Sequence, residues 1–131
     1  MPISVLIHLS LLALMVLFCV AAAVIARRRA VQWLPRHRLL GLLGAISGVI
    51  GMAVMIAEKI EHGYPHFHSP HSLIGLAVGI LLIGVPLLGF LGTRGYNQLR
   101  KPHRLFARLL IFLGLTALVT GIYRYLQINR N

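Results

Sequence analysis

The chain has 131 residues, of which 58% are hydrophobic and only 11% charged, against about 25% charged in an ordinary soluble domain. With a mean hydropathy of +0.84 and a formal net charge of +11, it reads as one membrane domain. A soluble enzyme is excluded, and the spread of the charge over separate connections argues against a nucleic-acid footprint.

Four apolar runs follow in chain order, about 2–26, 36–57, 70–92 and 103–126, each near the roughly 20 residues that cross a bilayer. Backbone groups in hydrocarbon must be satisfied within the segment, so the expected fold is an all-α, four-transmembrane-helix up-down bundle. The first run is not read as a secretory signal: no Lys or Arg precedes it, and Arg27, Arg28 and Arg29 follow it, the reverse of signal polarity. It also holds Cys19, the sole cysteine, which rules out an intrachain disulfide or a Cys-based metal site.

Basic residues concentrate in the first connection (Arg27, Arg28, Arg29, Arg36, Arg38) and around the third (Arg94, Arg100, Lys101, Arg104, Arg108). Only Lys59, Arg124 and Arg130 fall on the other side. The bias predicts both basic connections in the cytoplasm or its equivalent, and both termini on the non-cytoplasmic side with the second connection. The basic loops also suit anionic headgroups, so the lipid bilayer is the first partner and nucleic acid is not one. Glu58 and Glu61, the only acidic residues, lie by the second connection. No carboxylate pair sits within a span, which weighs against a proton-coupled transporter.

The second connection, "HGYPHFHSPHSLIGL", carries four of the seven histidines. The other three and His71 distribute one to each helix start: His8, His37, His71 and His103. Successive helices alternate in direction, so His8 and His71 share one side of the membrane, and His37 and His103 share the other. Helical steps from each histidine trace faces rich in small residues: Gly41, Gly44, Gly48, Gly51 and Met55 from His37; Ala107, Leu110, Gly114, Ala117 and Gly121 from His103; Leu12, Met15, Cys19, Ala22 and Ala26 from His8. The third helix shows Gly75, Gly79, Leu82, Pro86 and Gly89.

Two readings stand for these faces. Small residues let membrane helices pack closely, and histidines at helix starts reach headgroups. Alternatively, a small-residue face below an inward histidine leaves room for a porphyrin whose iron takes two imidazoles. Within the second connection, His62, Tyr64, His66 and His68 form either a solvated turn, an outer substrate or partner contact (Tyr64, His66, His68), or a transition-metal site.

These residues resemble the cytochrome b561 family of transmembrane dihaem electron-transfer proteins. "HFHSPHSLIG" is similar to that family's segment at the non-cytoplasmic start of a core helix, where the histidine matching His71 ligates haem and the one matching His66 faces outer substrate. "PRHRLLGLLG", "KPHRLFARLL" and "IHLSLLALMVLFCVAAAVIAR" resemble the other three core helices. The resemblance implies two b-type haems, His8/His71 outside and His37/His103 inside, each histidine an axial iron ligand, in a possible transmembrane oxidoreductase with no other catalytic residue. A looser similarity, around "GMAVMIAEKIEHG", is to four-helix relatives of cyanobacteria and plastids. The family's common members have six helices, Leu73 stands where they often carry tryptophan, and their ascorbate-contacting Lys and Arg residues have no firm match. The candidate inner contacts are Arg27, Arg28, Arg29 and Arg36.

The expected function is electron transfer across a bacterial cytoplasmic membrane or a thylakoid-type or organelle membrane, between an unidentified donor and acceptor. The alternative is an accessory subunit of a larger respiratory or photosynthetic complex, with one haem or none; a homodimer is a further partner arrangement. A metal or small-solute transporter is the third reading.

Overall fold

The computed structural model describes residues 2–64 and 68–128. Four α-helices run α1 (Ile3–Arg28), α2 (Trp33–Glu61), α3 (Pro70–Thr93) and α4 (Arg100–Ile128), with a short 3₁₀ turn, Asn97–Leu99, ahead of α4. No strand occurs among the described residues. All four helices are long and apolar enough to cross a membrane, and most of their large aliphatic and aromatic side chains are exposed. That is the pattern of an integral multi-pass membrane protein, whose outer surface is apolar because its solvent is lipid.

The helix ends follow from local chemistry. Ser69 caps α3: its hydroxyl accepts from the Ser72 N–H, and the Ser72 hydroxyl accepts from the Ser69 N–H, a reciprocal capping box. Pro70 takes the first helical position, where a missing N–H costs nothing. The serines and proline of "SPHS" thereby fix where His71 enters the bundle. α1 ends at Arg29, whose backbone is left-handed (φ 48°) and whose N–H reaches the Ile25 carbonyl. Gln32 precedes α2 in the same conformation (φ 58°), so two non-glycine residues turn the chain within one short link. The α3–α4 link turns at Gly95 (φ 110°), a region where only glycine is unstrained.

Adjacent helices pack as two hairpins. α1 lies closely along α2 and α3 along α4, while α1 meets α4 and α2 meets α3 more sparingly. Diagonal helices, α1 with α3 and α2 with α4, make no close backbone approach among the described residues. The α1–α2 and α3–α4 links share one end, which carries ten of the basic residues and is called the basic end below. The α2–α3 link lies at the other, the histidine-loop end.

The interior between the hairpins is filled at mid-height by Met15 and Leu82, 0% and 2% exposed, with Leu12, Val16, Val78, Val85, Leu110 and Ala117 around them. Glycine permits this: a Cβ on Gly48 would stand 2.5 Å from Leu82 and 2.8 Å from Met15, and one on Gly114 would stand 2.8 Å from Met15. Those two glycines serve packing. Gly41 and Gly75, by contrast, face open space. The small-residue faces therefore divide between both sequence readings, close packing at mid-height and unfilled volume toward the ends.

Candidate functional site: two histidine pairs across the bundle

Each histidine lies in the first two turns of its helix, and the rings reach across the bundle diagonals that the backbones leave open. His8 of α1 meets His71 of α3, ring centroids 6.4 Å apart and planes at 88°. His37 of α2 meets His103 of α4 at 6.0 Å and 89°. All four rings are half-buried.

Their anchoring is reciprocal within each hairpin. In α1–α2, His8 Nδ1–H donates to the Gly51 carbonyl (2.8 Å) and His37 Nδ1–H to the Ala22 carbonyl (3.0 Å). In α3–α4, His103 Nδ1–H donates to the Val85 carbonyl (3.0 Å) and His71 Nδ1–H to the Thr120 hydroxyl (3.1 Å), whose own proton is directed at backbone carbonyls of α4. A carbonyl only accepts, so Nδ1 carries the proton in the neutral ring and the lone pair sits on Nε2. Small residues let the imidazoles come this close: Gly51 and Ala22 are buried against them, and a Cβ on Gly89 would stand 2.9 Å from His103, one on Gly121 3.0 Å from His71.

The pairs are well separated along the axis. Gly51, which anchors His8, lies 14 positions beyond His37 on α2, and Val85, which anchors His103, lies 14 beyond His71 on α3. At the helical rise that is about 21 Å, most of a hydrocarbon core of about 30 Å. Each pair thus sits near one membrane face, with Met15 and Leu82 between them.

The two ends differ. Around His37 and His103 opens a cavity of about 740 Å³, walled by Ala22, Gly41, Ala45, Leu82, Pro86 and Gly89 and rimmed by Trp33, Thr93, Arg29, Arg38, Arg100 and Arg104. Trp33 stands beside His37, centroids 6.2 Å apart. At His8 and His71 the cavity between the rings holds about 30 Å³, bounded by Leu12, Met52, Gly75, Val78 and Ala117. Met52 leans over Gly79, where a Cβ would stand 2.5 Å from its methyl carbon.

Of the four arginines named as inner contacts, only Arg29 lines the basic-end cavity; Arg27, Arg28 and Arg36 are exposed away from it. Arg38 and Arg104 line it unannounced, although each directly follows a paired histidine, in "HRLL" and "HRLF". That shared His-Arg-Leu signal was available in the sequence. At the other end Tyr64 stacks on His62 (5.7 Å, 10°) and His68 is exposed; neither lines the cavity at His8 and His71. His66 lies outside the described residues, among which no group of three metal-ligating side chains forms.

Fold and site together define a class: four-helix integral membrane proteins with two facing imidazole pairs, one toward each end of the bundle. The family model described as eukaryotic cytochrome b561 matches residues 2–127, nearly the whole chain. The chain belongs to the cytochrome b561 family, whose members carry electrons across membranes with haem. No curated protein and no solved structure matches it.

Proposed function

We propose that the chain moves electrons between the two membrane faces through two b-type haems, one between His8 and His71 and one between His37 and His103. The ring geometry carries this reading. With metal–imidazole bonds of about 2.0–2.1 Å and ring radii of about 1.1 Å, two imidazoles sharing one metal hold their centroids about 6.3 Å apart. The observed separations are 6.4 and 6.0 Å. The Nδ1 anchors support it further, because such outer contacts orient imidazole ligands and raise their basicity.

Haem iron supplies one-electron chemistry when bound; the chain supplies everything else. The histidines would hold the iron from both sides in fixed tautomers. Gly41 leaves space for a macrocycle at the basic end and Gly89 admits the His103 ring, and the cavity there is within the size range of cofactor sites. At the other end the cavity is only about 30 Å³, so its lining would have to open to admit the group; Met52, whose unbranched thioether has rotamer freedom, would turn aside together with its neighbours. Met15 and Leu82 exclude water from the segment between the pairs and keep its dielectric low. The positive-inside bias supports a topology with the basic end in the cytoplasm or its equivalent and both termini opposite, so that donor and acceptor approach from different compartments.

The test is a reduced-minus-oxidised absorption spectrum of the purified full chain with a pyridine haemochrome count. Two b-type haems per polypeptide are expected, and His71→Ala and His103→Ala should each lose one. Retention of both haems in either variant overturns the pairing, and a colourless wild-type protein overturns the reading.

A further inference from the structure

Both acidic side chains of the protein, Glu58 and Glu61, sit in the last turn of α2 at the histidine-loop end. At the opposite end four arginines, Arg29, Arg38, Arg100 and Arg104, line the same cavity as His37 and His103. Among the described residues no carboxylate is within reach to balance them. A single cavity therefore has an apolar body, a pair of imidazoles inside it and a rim of uncompensated cations.

The rim is organised. Arg38 donates one N–H to the Thr93 hydroxyl (2.8 Å), Arg100 Nε–H donates to the Gly92 carbonyl (3.0 Å), and Arg104 Nε–H to the Arg100 carbonyl (3.3 Å). A guanidinium has five donors, so each of these three is held by one and keeps others for a ligand. Arg29 makes no side-chain hydrogen bond or ion pair among the described residues. It occupies a left-handed backbone position (φ 48°) that glycine takes at less cost. An arginine there is placed at the cavity at the expense of the local backbone.

We propose that these arginines form a carboxylate clamp for the cofactor of the basic-end site. They would hold the two carboxylate side chains that a b-type haem carries, and so turn its polar edge toward the aqueous phase at that end. The clamp rests on the reading that His37 and His103 ligate haem. Its chemistry is the paired recognition of a planar carboxylate by a planar guanidinium. An anionic lipid headgroup shares that chemistry, but it would meet only the outer rim, whereas a ligand between His37 and His103 spans from the imidazoles to the arginines next to them in sequence, Arg38 and Arg104.

The experiment titrates apo full-length chain, in phosphatidylcholine nanodiscs, with ferric haem b and separately with its dimethyl ester, following the Soret band. In the wild type the ester should bind one of the two sites at least about tenfold more weakly, the factor for losing one charge-assisted hydrogen bond. The double variant Arg29→Gln/Arg104→Gln, which breaks no tether between helices and leaves Arg38 and Arg100 in place, should shrink that difference at this site at least about threefold, while the other site, untouched, serves as internal control. Equal affinity for acid and ester at both wild-type sites overturns the clamp, and so does a preference that is undiminished in the double variant. If headgroups are the anion instead, the wild type will not discriminate acid from ester, and the variant will lose affinity for phosphatidylglycerol vesicles; that result also overturns it. Should the variant fail to fold, the wild-type comparison decides alone. Absence of a bis-imidazole spectrum with either compound overturns the haem reading on which the clamp rests, a different failure from equal affinity.

Discussion

His71 donates its Nδ1–H to the hydroxyl of Thr120, 3.1 Å away on the neighbouring helix. The other three paired histidines donate to backbone carbonyls. Only this anchor can be removed by a point mutation, because only here is the acceptor a side chain. Thr120→Val keeps the shape and deletes the acceptor. The expected outcome is retention of both haems, about tenfold weaker binding at the His8/His71 site, and a higher midpoint potential for that haem alone, since an imidazole relieved of its hydrogen bond is a poorer donor to ferric iron. A redox titration with two resolved components checks it; a shift in the other component sinks the assignment.

Gly41 and Gly48 stand on one face of α2, yet they meet different surroundings. A Cβ on Gly48 would collide with Leu82 and Met15, whereas one on Gly41 would meet nothing within 4 Å and would point into the basic-end cavity. Gly48→Leu is therefore expected to unfold or misassemble the bundle. Gly41→Leu should leave helicity and yield unchanged while removing the haem of that end. Far-ultraviolet circular dichroism with a haem count separates the two. If Gly41→Leu keeps two haems, the cavity is not where the cofactor sits.

Much of this was legible beforehand, for identifiable reasons. Length and hydropathy force four spans, and alternation of helix direction places His8 on the same side as His71 and His37 on the same side as His103. Helical periodicity located the small-residue faces. It gave no sign that Met15 and Leu82, on the same faces, close the middle, because side-chain volume on one helix is filled or left open by its neighbours. The arginines show another limit. Arg27, Arg28 and Arg29 are consecutive, and which of them turns to the cavity depends on the left-handed turn at Arg29, a backbone feature that arginine does not advertise. Arg38 and Arg104 each follow a paired histidine in the sequence, a place that the charge clustering of the first link does not single out.

His62 closes α2, with its Nδ1–H donated to the Glu58 carbonyl (2.9 Å) and the Glu58 carboxylate 3.8 Å away. The hydrogen bond to that carbonyl, more than the nearby Glu58 and Glu61 charges, raises its pKa above the ordinary 6.5. A histidine with a raised folded-state pKa favours folding while protonated. Its contribution is complete below the unfolded value and disappears as pH rises through the folded one. Because the side chain is exposed, the effect belongs to the helix end and its stacked partner Tyr64, not to the bundle. An NMR titration should place the His62 midpoint above 6.5, and Glu58→Gln should lower it only in part, since the carbonyl stays. A midpoint below 6.5 would contradict the geometry.

The ring planes within each pair are nearly perpendicular, 88° for His8 and His71 and 89° for His37 and His103. Each imidazole of such a pair interacts with a different one of the two iron d orbitals of π symmetry, so neither orbital is favoured and the two stay close in energy. Low-spin ferric iron then keeps much of its orbital momentum, and its electron paramagnetic resonance signal spreads toward low field. Both sites should give a single dominant low-field feature at liquid-helium temperature. Parallel rings would give a compact three-line rhombic spectrum instead. The anchors hold the rings at these angles, so Thr120→Val, which frees His71, should move or broaden the signal of one site and leave the other as it was. A rhombic spectrum from both sites would mean that the rings turn on binding and that the Nδ1 contacts do not fix them.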